Sequence, residues 1–326
     1  MYSRILFTAC LLISSYSFSQ MKWAPDEEAN RNLPPSVRLY RSTDTLGGKP
    51  SIAYYIEADL ADASLEFDVD TTYKRRLTPQ QFYEKNGQPL VVVNGTFFSF
   101  ETSQNLNTVI SNGMPQSYNI RSVRGRGKDS IYQVRVYRGA IGINGSKADV
   151  AWVNSDSSYK ITLAAQHPIP PEKILPPDTA LSQKQLSRLR RKAQKRKHRI
   201  FDNWNVMTAI GGGPVLLQKG EIHITNEEEM MFTGKAINDR HPRTAMGYTK
   251  NKKLIILVVQ GRFPGVAEGA SLLHEAKILK DLGCVEALNF DGGGSSCMLV
   301  NGKETIKPSD KTGQRAVPAV FIIRKK

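Results

Sequence analysis

Residues 288–302 read LNFDGGGSSCMLVNG, and this stretch places one carboxylate and two hydroxyls around three consecutive glycines. An apolar run ends at Asp291, so we expect its carboxylate at the tip of a strand. Gly292–Gly294 allow backbone conformations that are closed to other residues, and successive N–H groups on such a turn bind anions. Ser295 and Ser296 add hydroxyl donors. The same pattern is typical of a tight turn between strands, so the stretch alone leaves both interpretations open.

Short apolar runs separated by turn residues make up most of the 326-residue chain. Such runs indicate half-buried or fully buried strands. The strand candidates are 51–60, 64–70, 89–95, 131–137, 253–261, 286–290 and 316–323. Two helices are expected after the N-cap residues Thr78 and Ser271, the first with Pro79 at its start and the second ending at Gly283. The pattern predicts an α+β fold, a single β-rich domain of mixed or antiparallel sheet with a few packed helices.

The N-terminal segment 1–19 has the composition of a secretory signal peptide. Arg4 precedes a short apolar core, and small residues then offer a cleavage site. We therefore expect an exported protein, periplasmic or extracellular, with a lead-in over 20–49 and a folded domain over 50–326. No other apolar run is long enough to span a bilayer, so no transmembrane segment is predicted.

Residues 168–200 interrupt the strand pattern as an insertion that is first proline-rich and then basic. The formal net charge of the chain is +15, and nine lysines and arginines lie within 182–199 without any acidic residue. One interpretation of this run is a solvated, partly disordered helix. Another is contact with an anionic polysaccharide that carries phosphates. Nucleic acid is not expected as a partner, because the run lacks interleaved aromatic residues and export is predicted.

No metal signature stands out and no cofactor is predicted, although aspartates and backbone carbonyls near residues 291 and 310 could hold a hard cation. The five histidines are scattered, and no Cys/His spacing matches a zinc site. Beyond the N-terminal segment only Cys284 and Cys297 remain, and two buried thiols are a simpler interpretation than a disulfide framework.

Other turn-rich segments supply residues that are suited to an anionic ligand. In chain order they contribute Asn94 and Gly95 after a buried strand, and Arg243, Arg262 and Arg315 beside later strands. Arginine binds phosphate through a planar pair of N–H donors. Each segment alone is more often a loop than a site. Together with the carboxylate after 288–290, they predict a site for a phosphate-bearing polar ligand.

The order of these motifs resembles that of the phosphodiester glycosidase family. The shared elements are Asn-Gly-x-Phe-Phe at 94–98, Gly-Gly-Gly-Pro at 211–214, Pro-Arg-Thr-Ala-x-Gly at 242–247, Gly-Arg-x-Pro-Gly at 261–265, Asn-x-Asp-Gly-Gly-Gly-Ser-Ser at 289–296 and Arg315. The resemblance runs from residue 50 to residue 324 and is interrupted by 168–200. The block at 289–296 is specific by itself, whereas the shorter motifs are specific only through their order.

The resemblance implies hydrolysis of the glycosidic bond in a sugar–phosphate diester of a small-molecule or polymeric phospho-glycan. A phosphomonoester leaves readily because its second pKa is about 6, so the implied site mainly stabilises charge on the phosphate. The implied binding residues are Asn94, Gly95, Arg243, Thr244, Arg262, Gly292, Gly293, Gly294, Ser295, Ser296 and Arg315. Asp291 is implied to orient the sugar, stabilise an oxocarbenium-like centre, or act as base or nucleophile. Asn94 is implied to bind a sugar hydroxyl or to orient Asp291.

The chain departs from the family pattern at two acidic positions. Gln260 stands where many members have Asp, and His274 aligns with a Glu on the following helix, with Glu275 beside it. The candidate catalytic residues are therefore Asp291, His274 and Glu275. The replacements also support an alternative, a non-catalytic protein that binds phosphorylated or anionic glycans on the same fold. A serine esterase is less favoured because the sequence lacks Gly-x-Ser-x-Gly.

Overall fold

Antiparallel strands form most of the protein in this computed structural model, which describes residues 21–156, 161–174, 191 and 200–326. Within these residues, 25 strands accompany only four short α-helices. Every strand pair with an assigned register in the three large sheets of this part of the chain is antiparallel. The predicted β-rich fold with a few helices is confirmed, but the helices are too few to confirm the α+β label.

The largest sheet has eight strands. In spatial order they are β1 (Ala24–Pro25), β2 (Val37–Ser42), β5 (Ala53–Asp59), β21 (Lys253–Val259), β20 (Arg243–Thr249), β22 (Cys284–Asn289), β18 (Val215–Gln218) and β19 (Glu221–Ile222). Strand β2 comes from the predicted lead-in 20–49 and pairs with β5 along its whole length. This sheet therefore continues across the predicted domain boundary at residue 50.

Two further large sheets and two small ones complete the fold. The seven-stranded sheet runs β16 (Asp202–Asn203), β14 (Ile161–Ala165), β13 (Lys147–Asp156), β12 (Arg138–Asn144), β17 (Thr208–Gly211), β8 (Val109–Ser111) and β9 (Met114–Ser117). The five-stranded sheet runs β24 (Lys303–Glu304), β23 (Met298–Val300), β7 (Val91–Asn94), β25 (Ala319–Lys325) and β6 (Leu65–Thr71). The small sheets join β10 (Ser122–Arg124), β11 (Gln133–Arg135) and β15 (Glu172–Ile174), and β3 (Thr45–Leu46) with β4 (Lys49–Pro50).

Both predicted helices form at the positions that their caps indicate. The α-helices are α1 (Glu27–Asn30), α2 (Pro79–Lys85), α3 (Asn226–Glu229) and α4 (Leu272–Asp281), with 3-10 turns at Gly127–Asp129, Gly234–Ile237 and Gly293–Ser295. The Thr78 hydroxyl accepts from the Gln81 N–H at 3.2 Å at the start of α2. The Ser271 hydroxyl accepts from the His274 N–H at 3.3 Å at the start of α4. These bonds satisfy N–H groups that have no partner within the helix.

A central hydrophobic core lies between the three large sheets, and two smaller cores lie beneath α4 and α2. Alternate residues of β21 serve two of these cores, because successive side chains of a strand point to opposite faces. The central core receives Leu254, Ile256 and Val258, and the core beneath α4 receives Ile255, Leu257 and Val259. A continuous apolar run therefore forms this strand. Cys284 and Cys297 are buried in the smaller cores as free thiols, as predicted.

Some of the predicted segments lie outside the described residues. These are the N-terminal segment 1–19 and almost all of the basic run 182–199. At the start of the insertion 168–200, Glu172–Ile174 forms β15 and pairs with β11, so this part extends a small sheet. Among the described residues, no helix combines the length and the apolar character needed to span a membrane.

The carboxylate of Glu229, at the end of α3, connects the eight-stranded sheet to the seven-stranded sheet. It is fully buried. It accepts hydrogen bonds from the N–H groups of Gly139 (2.9 Å) and Val215 (2.8 Å), the Trp152 indole (3.2 Å) and the Thr225 hydroxyl (2.6 Å). Burial raises the pKa of Glu229, and these hydrogen bonds and nearby Arg138 oppose the rise. One side chain thus satisfies donors from two sheets.

We expect Glu229→Ala to lower the free energy of unfolding by about 3 kcal/mol or more, because four buried donors lose their acceptor. Chemical denaturation followed by tryptophan fluorescence would measure this loss. Glu228→Ala, on the same helix, is the matched control and should change stability by less than about 0.5 kcal/mol. Similar losses in both variants would contradict the connecting role of Glu229.

Candidate active site

Asn94, the last residue of β7, connects the five-stranded sheet to the loop that carries Asp291. Its side-chain amide donates to the Asp291 carbonyl at 2.6 Å. Its Oδ1 accepts from the Thr244 hydroxyl at 2.9 Å and from the Cys297 N–H at 3.1 Å. Asn94 and Thr244 are fully buried. Their side chains therefore serve contacts inside the protein, and Asn94 orients the Asp291 loop.

Asp291 follows β22 and is held through both its backbone and its side chain. Its N–H donates to the Gly95 carbonyl at 2.9 Å, and its carboxyl accepts from Ser295 and from the Gly292 N–H. Burial raises the pKa of Asp291 to about 6, although these hydrogen bonds and the charge of Arg315 oppose the rise. The carboxyl therefore changes charge close to neutral pH, as catalytic carboxylates often do.

The glycines after Asp291 let other groups approach the backbone closely. A Cβ atom on Gly292 would lie 2.8 Å from the Pro242 carbonyl oxygen, and one on Gly293 would lie 2.8 Å from the Arg262 guanidinium. A Cβ atom on Gly294 would collide with the Arg315 guanidinium. The absence of side chains thus brings two arginines directly over the turn.

The structure corrects the predicted cradle of three free N–H groups at this turn. The Gly293 N–H donates to the Pro242 carbonyl at 2.8 Å, and the Gly292 N–H donates to the Asp291 carboxyl. Both amides therefore serve inside the protein, one bonded to the segment before β20 and the other within its own loop. An anion at this turn therefore depends mainly on the arginines.

Arg315 holds its guanidinium above Gly294. Its Nε donates to Asp310 Oδ2 at 2.7 Å, and its Nη1 lies 3.4 Å from Ser295 Oγ. The guanidinium carbon lies 5.3 Å from the centroid of the Phe100 ring. Sequence reasoning identified Arg315 and Ser295 but missed Asp310 and Phe100 as site residues, because their contacts exist only once the loops have folded.

Arg243 and Arg262 differ in accessibility. Arg243 is buried and donates to the carbonyls of Ala270 at 2.9 Å and Asp239 at 3.2 Å. These contacts are structural and do not match the phosphate-binding role predicted for Arg243. Arg262 is exposed, adopts a left-handed backbone with φ of 65°, and lies over Gly293. Of these two arginines, only Arg262 is exposed to solvent.

Glu275 on α4 is a fully buried carboxyl, and neither of its oxygens has a hydrogen-bond partner among the described residues. Burial raises the pKa of Glu275 to about 8, and the charge of Arg243 opposes the rise. At neutral pH the carboxyl therefore holds a proton. Buried polar groups without partners are rare and often have a catalytic role. Arg243 lies beside the turn, with its Cα 3.8 Å from the Cβ position of Gly292, and its charge acts on Glu275.

His274 and Gln260, which the family resemblance aligns with two acids, both make structural contacts. His274 Nδ1 lies 3.0 Å from Ser271 Oγ and 3.3 Å from the Ser271 N–H, which completes a capping box at the start of α4. Burial and nearby positive charges lower the pKa of His274. Gln260 Oε1 accepts from the Lys307 N–H at 2.8 Å. His274 thus acts as part of the cap of α4. Its contacts do not support the predicted catalytic role.

Two buried polar atoms near the turn, Ser296 Oγ and His241 Nδ1, have no hydrogen-bond partner in the described part of the chain. Ser296 is a predicted site residue, whereas His241 was missed. Burial, Arg243 and Arg262 lower the pKa of His241. Its place directly before the motif 242–247 is the only sequence signal that could have identified it. Within the described ranges, no group of three or more His, Cys, Asp or Glu residues could hold a metal ion.

Comparison with known proteins relates most of the chain to one family. Residues 87–324 match the family model described as phosphodiester glycosidase. The N-acetylglucosamine-1-phosphodiester alpha-N-acetylglucosaminidase of Bos taurus is 32% identical over 120 residues, which cover 34% of this chain and 22% of that protein. The Mus musculus protein of the same name is 31% identical over 120 residues, covering 34% of this chain and 23% of that protein. The chain thus matches less than a quarter of the length of these relatives.

Solved structures share the fold at lower sequence identity. A hypothetical protein from Synechocystis has a TM-score of 0.62 at 15% identity, covering 90% of this chain and 64% of that chain. The zebrafish N-acetylglucosamine-1-phosphodiester alpha-N-acetylglucosaminidase catalytic domain, auto-inhibited by its pro-peptide, has a TM-score of 0.55 at 22% identity. It covers 94% of this chain and 89% of that chain. These likenesses establish the fold alone.

The raised pKa of Glu275 predicts that the protein becomes less stable as the pH rises towards about 8. Its pKa is raised from 4.5 to about 8 in the folded protein, so its contribution to stability is complete below pH 4.5 and is lost as pH rises through 8. We expect the Tm of the wild type to fall between about pH 6 and about pH 9 by a few degrees more than that of Glu275→Gln. The exposed helix variant Glu84→Gln is the control. Equal falls in all three proteins would refute the prediction.

Proposed function

Because the chain belongs to the phosphodiester glycosidase family, we propose that it is an exported hydrolase that cleaves the glycosidic bond of a sugar-1-phosphate diester. The diester belongs to a glycan or a glycolipid. The sugar is released, and the acceptor keeps the phosphate as a phosphomonoester. The main support for this reaction is the position of the Asp291 carboxyl beside a glycine turn that two arginines cover. Export is supported by the composition of 1–19.

In this reaction Arg315 and Arg262 bind the phosphate. Arg315 is held in place by Asp310 and by the Phe100 ring, so little reorganisation is needed when charge develops on the leaving group. Positioned charges of this kind lower the barrier because they stabilise the transition state more than the ground state. The phosphate needs little protonation, since its second pKa is about 6.

Asp291 faces the sugar as an ionised carboxylate. Above its pKa of about 6, it stabilises an oxocarbenium-like centre, attacks that centre, or activates water. Glu275, with its pKa of about 8, stays protonated over the same pH range. The two carboxyls therefore differ in protonation state near neutral pH, as pairs of catalytic carboxyls often do.

A second candidate function is non-catalytic binding of phosphorylated or anionic glycans. Gln260 and His274 stand at the positions of two family acids, and both side chains make backbone contacts. Under this alternative, the arginines and Asp291 hold the ligand without turnover. Ligand binding without sugar release from any diester would favour this function.

The purified protein should release free sugar from at least one diester in a panel of hexose- and N-acetylhexosamine-1-phosphate diesters. Asp291→Asn should lower kcat by about a thousandfold, because the amide keeps the shape of the carboxylate but loses its charge. Asp202→Asn, an exposed change on β16, is the matched control and should keep the wild-type rate. Absence of release by the wild type, or full activity in Asp291→Asn, would refute the proposal.

The dependence of kcat/KM on pH should be bell-shaped. Activity should fall below about pH 6 as Asp291 gains a proton, and it should fall above about pH 8 as Glu275 loses one. Glu275→Gln should remove the alkaline limb and leave the acid limb in place. An alkaline limb that persists in Glu275→Gln would exclude Glu275 as its source.

A further inference from the structure

The Phe100 ring contacts two guanidinium groups, those of Arg76 and Arg315. The guanidinium carbon of Arg76 lies 5.5 Å from the centroid of the Phe100 ring, and that of Arg315 lies 5.3 Å from the same centroid. The two carbons are therefore no further apart than the sum of these distances. Arg76 also lies 5.3 Å from the Phe98 ring. Cation–π contacts hold both guanidinium groups, although Phe100 is 63% exposed.

Backbone hydrogen bonds fix the position of Arg76 relative to Arg315. The adjoining residues Leu77 and Val317 exchange two bonds, with N–H to carbonyl distances of 3.0 and 2.8 Å. The Gln80 N–H donates to the Gln314 side chain at 2.8 Å. These bonds join the two segments and keep the backbones of the two arginines close to each other.

In the part of the chain that the structure describes, Arg76 has no counter-ion. Among the described residues no carboxylate or other acceptor lies within hydrogen-bond reach of its guanidinium, whereas Arg315 pairs with Asp310 at 2.6 Å. Arg76 is only partly exposed, so leaving its charge unpaired is more costly than for a surface cation. A guanidinium offers a planar pair of donors that suits phosphate. Its free donors therefore point to an anion that comes from outside the protein.

We infer that Arg76 and Phe100 form an acceptor-side subsite, which binds a second phosphate on the acceptor portion of the substrate. The inference rests on the proposed function, in which Arg315 binds the phosphate of the scissile diester. The acceptor then extends past the Phe100 ring towards Arg76. The favoured substrate is a sugar-1-phosphate diester whose acceptor carries a further phosphate, in preference to one with an uncharged acceptor.

Isothermal titration of the full chain with two probes tests the subsite without requiring turnover. The probes are glucose 6-phosphate and glucose 1,6-bisphosphate. The wild type should bind the bisphosphate at least about tenfold more tightly than the monophosphate. Arg76→Met, which keeps the length of the side chain, should reduce that ratio to about twofold or less, and Arg76→Lys should give an intermediate ratio.

Arg75→Met is the matched control, because it removes the same charge from the adjacent exposed residue. It should keep the wild-type ratio. Equal affinities of the wild type for both probes, no binding of either probe, or an equal loss in Arg75→Met and Arg76→Met would overturn the subsite. Diester hydrolysis on the same preparations separates the two ideas. Turnover without a bisphosphate preference overturns the subsite alone, and an Arg76-dependent preference without turnover overturns the proposed reaction alone.

Discussion

Three hydrogen bonds of the Asn94 side chain determine where the Asp291 carboxyl lies. They join β7 to β20, to the start of β23 and to the loop after β22, and one of them connects residues 197 positions apart. The amide is fully buried, where hydrogen bonds are stronger and unmade ones are costly. The glycine turn, its two arginines and the Phe100 ring all take their positions relative to this junction of two sheets.

Burial divides the charged groups near this junction into two kinds. Arg243 and Glu275 lie inside the protein, where desolvation dominates and raises the pKa of the carboxyl. Arg262 and Arg315 lie over the backbone of glycines, where they remain accessible to a ligand. The buried pair thus determines the protonation state of Glu275, whereas Arg262 and Arg315 supply positive charge at the surface. The turn that these two arginines cover is built from glycines because a side chain there would collide with them.

Sequence reasoning succeeded where the cause is local. The caps Thr78 and Ser271 and the apolar run of β21 act within a few residues, and each element forms as predicted. It failed where the outcome depends on distant segments. The Gly293 N–H is used by Pro242, and the lead-in 20–49 supplies a strand to the main sheet. No local pattern reveals such partners, because they meet only through tertiary packing.

The position of β25 affects when the site can form during synthesis of the chain. This strand follows Asp291 in the sequence, yet it lies between β7 and β6 and pairs with both. A nascent chain synthesised only through Val300 already contains Asn94, Asp291 and β23, but it lacks β25, the strand that joins β7 to β6. Closing such long loops costs entropy before any contact repays it. The Asp291 site is therefore completed only late in synthesis, after β25 has been made.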